Sequence, residues 1–217
     1  MKRTFALSFA LCCFGVALMS KTSAQTPGGA QGQTAPAPKP SPSPAATPAA
    51  PPAANPADVA SVESIVRAVY DVISGPAGKK RDWDRMRSLF APGARMIPTF
   101  ARRPPGTPPD APLKGDEEYV VRVLDVEGYI SRSGPYLEEH GFFEQEVARR
   151  TEVYGHIAHV FSTYESRHKL DDPQPFMRGI NSIQLMNDGK RWWVVNIFWE
   201  GETPKTPLPE KYLKGTN

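Results

Sequence analysis

From Phe142 to Glu200 the chain is almost unbroken β-type sequence, and this run sets what kind of domain it can build. Four segments, Phe142 to Tyr154, Ile157 to His168, Phe176 to Met186 and Arg191 to Glu200, are rich in Val, Ile, Phe, Tyr, Trp and Thr, which suit a pleated, half-buried surface. Asp188-Gly189 between the last two reads as a two-residue hairpin turn. The four segments therefore predict a long antiparallel meander.

Such a meander needs cover on at least one face, and the residues before it supply helices. Asn55-Pro56 reads as a cap followed by proline at the first helical position. Val59, Val62, Ile65, Val66, Val69, Tyr70 and Ile73 then recur at three-to-four spacing, one apolar face of a helix that Gly75-Pro76 stops. A short helix follows from Asp82, with Trp83, Met86, Leu89 and Phe90 inward and Pro92-Gly93 at its end. Ala94 to Phe100 reads as a strand, Arg102 to Pro112 as a proline-rich loop and Tyr119 to Leu124 as strand-like. Asp125 caps a third helix to about Ser133, broken by Gly134-Pro135, with one more turn over Tyr136 to His140. Helices followed by a meander give an α+β fold, the helices packed on one face of a curved antiparallel sheet.

Residues 1–24 have the layout of a secretory signal: Lys2 and Arg3, an apolar run from Phe5 to Met19, then small residues at Thr22-Ser23-Ala24. The run is too short to span a bilayer, so the expectation is an exported protein, periplasmic or secreted, with no membrane span after cleavage. Both cysteines, Cys12 and Cys13, lie in this segment, so the mature chain would lack disulfides, thiolate nucleophiles and Cys-ligated zinc. Loss of Lys2, Arg3 and Lys21 leaves 23 basic and 23 acidic residues, which argues against nucleic acid as a partner. Residues 25–57 form a Pro/Ala-rich linker with ten prolines and one charge, Lys39, too polar and stiff to fold. The domain then spans 58–203, with a tail over 204–217. No Gly-rich phosphate loop or metal-ligand spacing is present, so neither cofactor nor metal is expected. Glu138-Glu139-His140 lacks a partner at helical spacing and reads as a solvated turn.

Several of these segments together resemble the NTF2-like superfamily, and within it SnoaL-like or DUF4440-type bacterial members. The resemblance rests on the helix Val59 to Ile73 and on Asp82 to Ala94, with its Phe90-Ala91-Pro92-Gly93-Ala94 turn into a strand. It rests also on Ile157 to Ser166, and on Arg178 to Leu185 followed by Asp188-Gly189 and the Trp192-Trp193 strand. It implies a cone-shaped α+β domain with a pocket between helices and sheet. Members include isomerases, dehydratases, cyclases, epoxide hydrolases and pure binding modules, so the fold alone does not select an activity. The catalytic sets of the enzyme members do not map onto this chain residue by residue.

Strand parity offers two candidate pocket faces. A two-residue turn at Asp188-Gly189 sets Asn181 opposite Asn196, Ile183 opposite Val194 and Leu185 opposite Trp192. With Thr163 opposite Asn181, one face carries His159, Phe161, Thr163, Glu165, Asn181, Ile183 and Asn196. The other carries Tyr164, Arg178 and Trp199, with Arg178 able to stack on Trp199 or to join Tyr164 at a carboxylate. His159 and Glu165 are the candidate acid–base groups, and Asn181 and Asn196 the candidate oxyanion donors or a mutually satisfied pair. Two apolar faces also suggest a homodimer. Three readings follow: a module holding a small apolar molecule or a partner segment, a cofactor-free SnoaL-type acid–base enzyme (isomerase, cyclase or hydratase), or a dimerisation module.

Overall fold

The computed structural model describes residues 50–107 and 117–214; the signal segment and most of the linker lie outside the described residues. The linear order is α1 (Pro56–Val59), α2 (Val62–Ile73), α3 (Trp83–Leu89), β1 (Phe90–Ala101), β2 (Tyr119–Val121), α4 (Val126–His140), then β3 (Phe143–Tyr154), β4 (Ile157–Arg167), β5 (Met177–Asn187) and β6 (Trp192–Gly201). The strands form one sheet in the order β2-β1-β6-β5-β4-β3. The four late strands β3 to β6 form the expected antiparallel meander, and β1 joins β6 in a parallel pairing that the sequence reading did not include. Bulges in β1, β3 and β6 bend the sheet. The helices lie over its inner face, giving the expected α+β arrangement of helices on a curved sheet.

The apolar stripe read from sequence is the core. Val59, Val62, Ile65, Val66, Val69, Tyr70 and Ile73 are all buried, packed with Met86, Leu89, Phe90, Val160, Ile183, Leu185, Val194 and Ile197. The stripe is carried by two helices, not one. Ser61 ends α1's continuation by capping α2: its hydroxyl accepts from Ser64 N at 3.1 Å, and Ser64 Oγ accepts from Ser61 N at 3.0 Å. Ser61→Ala is therefore expected to cost about 1 kcal/mol in urea unfolding, without altering the sheet's circular dichroism.

The third helix also departs from its sequence reading. α4 runs unbroken through Gly134-Pro135 to His140. Tertiary contact overrides the local break: Leu137 is buried, and a Cβ at Gly134 would lie 3.1 Å from Trp83 Cζ2, so the helix is held against that indole. Glu138 is likewise not a solvated residue, because its Oε1 accepts from Arg81 N and Trp83 Nε1, each at 3.1 Å. His140 stacks on Tyr136 at 4.1 Å.

Register corrections decide which residues face inward. The Asn187↔Trp192 pair closes the β5–β6 hairpin, so the connection is four residues, Asp188 to Arg191, and not Asp188-Gly189 alone. Asp188 Oδ1 accepts from Lys190 N and Arg191 N, which widens the turn. Leu185 then faces Val194, and a bulge at Val195 sets Ile183 opposite Ile197 and Asn181 opposite Trp199. On β4, Ser162, not Thr163, stands opposite Asn181. That one-residue difference exchanges the faces of the whole strand.

Candidate functional site

The inner face of the sheet carries Glu144 and Glu146 from β3, Ser162, Tyr164 and Ser166 from β4, and Gly179, Asn181 and Ile183 from β5. Tyr70 descends onto them from the buried face of α2. Its hydroxyl lies 2.6 Å from Ser162 Oγ and 3.1 Å from Asn181 Nδ2. The direction of these bonds follows from counting protons. Ser162 gives its one proton to Glu146 Oε1 at 2.5 Å, so Tyr70 donates to Ser162 and accepts from Asn181. Asn181 also donates to Glu144 Oε1 at 3.3 Å, and Ser166 donates to Glu144 Oε2 at 2.9 Å.

The two carboxylates on β3 thus meet different surroundings. Glu146 has a cation: Arg149, brought to the same face by the bulge between Glu146 and Ala148, donates to Glu146 Oε2 from Nε at 2.8 Å. Among the described residues Glu144 has only neutral donors. It keeps partial solvent exposure, yet the dense surroundings penalise its charge and raise its pKa to about 7. The Ser166 and Asn181 bonds pull the other way and are outweighed. Its charge in turn adds to the burial that lifts the phenols of Tyr70, Tyr129 and Tyr164 well above the ordinary tyrosine range.

Tyr164 is 1% exposed, and its hydroxyl has no hydrogen-bond partner among the described residues. Its ring covers Gly179, its direct cross-strand neighbour, where a Cβ would sit 2.6 Å from the Tyr164 oxygen. Tyr129 from α4 meets Trp199 of β6 edge-on, with ring centroids 6.3 Å apart. The interior thus brings together a carboxyl without a cation, a phenol unpartnered among the described residues and an aromatic pair.

Of the residues singled out from sequence, Asn181, Ile183, Tyr164 and Trp199 lie on this inner face. His159, Phe161, Thr163, Glu165, Arg178 and Asn196 lie on the outer one. His159 is exposed, with Nε2 2.9 Å from Ser182 Oγ, and Glu165 pairs with Arg167 at 2.8 Å. Neither converges with Asn181, so their pairing as acid and base is corrected by the β4 register. Asn196 stands opposite Gln184, far from making a pair with Asn181. Arg178 bonds Glu202 at 2.9 Å and is separated by the sheet from Tyr164 and Trp199. Thr163 and Phe161 are covered by the C-terminal segment: Thr163 Oγ1 donates to Tyr212 O at 2.5 Å, and the Phe161 and Tyr212 rings are 5.0 Å apart.

Sequence reasoning missed Glu144, Glu146 and Ser166, and took Tyr70 for core alone. A signal was present in Phe142-Phe143-Glu144-Gln145-Glu146, where alternation puts two acids on one face of a strand otherwise suited to burial. Among the described residues, no group of three or more His, Cys, Asp or Glu is arranged to hold a metal, and no helix is long and apolar enough to cross a membrane.

No family model matches the chain, and no curated protein does. Solved structures do, all at low identity. An NTF2-like protein of unknown function from Silicibacter pomeroyi is 13% identical, with a TM-score of 0.41 over 66% of this chain and 94% of that one. A protein of unknown function with a cystatin-like fold from Nostoc punctiforme is 10% identical, with a TM-score of 0.46 over 68% of this chain and 92% of that one. A protein named as a candidate ketosteroid isomerase from Parabacteroides distasonis is 12% identical, with a TM-score of 0.41 over 66% and 89%. The chain is similar to NTF2-like proteins in fold, and at this distance nothing about activity passes across.

Proposed function

We propose that the inner face of the cone is the functional site, that it receives a small, largely apolar molecule, and that Glu144 meets that molecule's polar atom. One observation carries this reading: among the described residues, a carboxyl held by Ser166 and Asn181 alone faces the same interior as the unpartnered Tyr164 hydroxyl. An interior of aromatic side chains with a few convergent polar groups is what small-molecule sites are made of. Native mass spectrometry of the protein from its source should find a copurifying small molecule that is lost in Glu144→Gln. Retention undiminished by that change would sink the reading.

A second reading, proton transfer, is favoured by the pKa of about 7, at which a carboxyl gives and takes protons with equal ease. Tyr164 would then steady charge developing on the substrate. Export and dimerisation remain part of the proposal. The signal-like residues 1–24 support the first, tested by N-terminal sequencing of the mature chain for a start at Gln25. Outer-face apolar exposure at Ile157, Val195 and Phe198 supports the second, tested by light scattering after size exclusion.

A further inference from the structure

Resting on the reading just given, we propose that the molecule's polar atom is a protonated nitrogen: the cone takes a small organic amine, its ammonium group between the Glu144 carboxylate and the Tyr164 hydroxyl and its hydrocarbon part against Tyr129 and Trp199. The two groups that would meet the ligand both have acceptor capacity to spare. Each Glu144 oxygen takes one hydrogen bond, from Ser166 or Asn181, and keeps a second lone pair. Among the described residues the Tyr164 oxygen neither accepts nor donates a hydrogen bond.

The basic side chain on this face is paired through two of its nitrogens, while its third, Nη1, is buried without a partner among the described residues. Arg149 serves Glu146 through Nε and a second nitrogen, at the far end of the Ser162–Tyr70–Asn181 chain. A desolvated carboxylate without a cation is costly, and an ammonium group entering beside it removes that cost. An anion would be repelled. Tyr129 from α4 and Trp199, cross-strand neighbour of Asn181, meet edge to face and add aromatic surface, which favours a positive charge over a neutral group.

The rival ligand is a neutral carbonyl compound accepting a hydrogen bond from protonated Glu144. The two differ in sign with pH. An amine needs the carboxylate, whose population grows about tenfold between pH 6 and pH 8 for a group that titrates near 7. A carbonyl needs the acid, whose population falls by the same factor. The three phenols facing Glu144 do not cross this window, being raised far above it, and Glu146 is held in an ion pair with Arg149.

The test uses the full chain with cyclohexylamine and cyclohexanone, binding being read by NMR shift titration at pH 6 and pH 8. Cyclohexylamine should bind about tenfold tighter at pH 8 than at pH 6. Glu144→Gln should remove that gain, and Tyr164→Phe should weaken binding by a few-fold. Cyclohexanone binding that depends on Glu144 and weakens as pH rises would overturn the amine and leave the interior site standing. If neither probe's binding depends on residue 144, both readings fall.

Discussion

Arg81→Ala is expected to lower the unfolding free energy by about 4 kcal/mol and the melting temperature by on the order of 10 °C. Arg81 is buried, and its guanidinium is spent on main-chain carbonyls. Nε donates to Ile73 O at 3.0 Å, one terminal nitrogen to Lys79 O at 2.5 Å, and the other to Gly75 O at 2.6 Å and Leu137 O at 2.8 Å. These bonds tie the end of α2 and the following loop to α4. Alanine would strand the carbonyls of Ile73, Lys79 and Leu137, while that of Gly75 keeps its bond from Phe142 N. Gly75 makes the room: a Cβ there would stand 2.8 Å from the guanidinium. Lysine keeps the charge but not the fork, so Arg81→Lys should recover less than half of the loss. Urea unfolding measures both variants, and a cost under about 1 kcal/mol for alanine would mean that water replaces the guanidinium without penalty.

The same staple reaches the candidate site. Gly75 and Phe142 exchange backbone bonds at 2.7 and 3.0 Å, and Ser74 Oγ accepts from Glu144 N at 3.0 Å. The backbone of Glu144 is thus fixed to the segment that Arg81 holds. Arg81→Ala should let more water reach the carboxyl and move its titration midpoint down from about 7 towards the ordinary range.

What could be read in the sequence divides along physical lines. The helix stripe Val59 to Ile73 and the four late strands announce themselves through period and composition, which are local properties, and they stand within a residue or two of where they were placed. The inner face did not announce itself, because it depends on register, and register was set by features without a local signature. The bulge at Val195 and the four-residue hairpin carried Asn181 to Trp199, and a single-residue offset sent His159 and Glu165 outward. Glu144 escaped notice for another reason. A carboxyl in a strand is ordinarily solvated, and only the arrival of Tyr70 from α2 and of Asn181 two strands away makes this one unusual. The parallel seam between β1 and β6 was likewise invisible, since it joins segments some hundred residues apart.

Between pH 5 and pH 8 the wild-type chain is expected to lose stability while Glu144→Gln holds steady, so that the two curves meet at low pH and part at high pH. The sign follows from linkage. The carboxyl's pKa is about 7 in the fold against 4.5 for an unperturbed glutamate, so between these values the folded chain binds more protons than the unfolded one. Stability is full below 4.5, falls as pH rises through about 7 and then levels off. The total is about 2–3 kcal/mol, allowing for the residue's residual contact with solvent. Glutamine keeps the shape and carries no charge, so at pH 8 it should be the more stable protein by about 1–3 kcal/mol. Most substitutions destabilise, and one that stabilises only above neutrality marks a group kept at a cost to the fold. Urea unfolding of both chains across the range is the measurement. Parallel curves, or a wild type that gains stability towards pH 8, would place an ordinary ionised carboxylate at position 144 and leave the cone without the desolvated carboxyl that the proposed ligand requires.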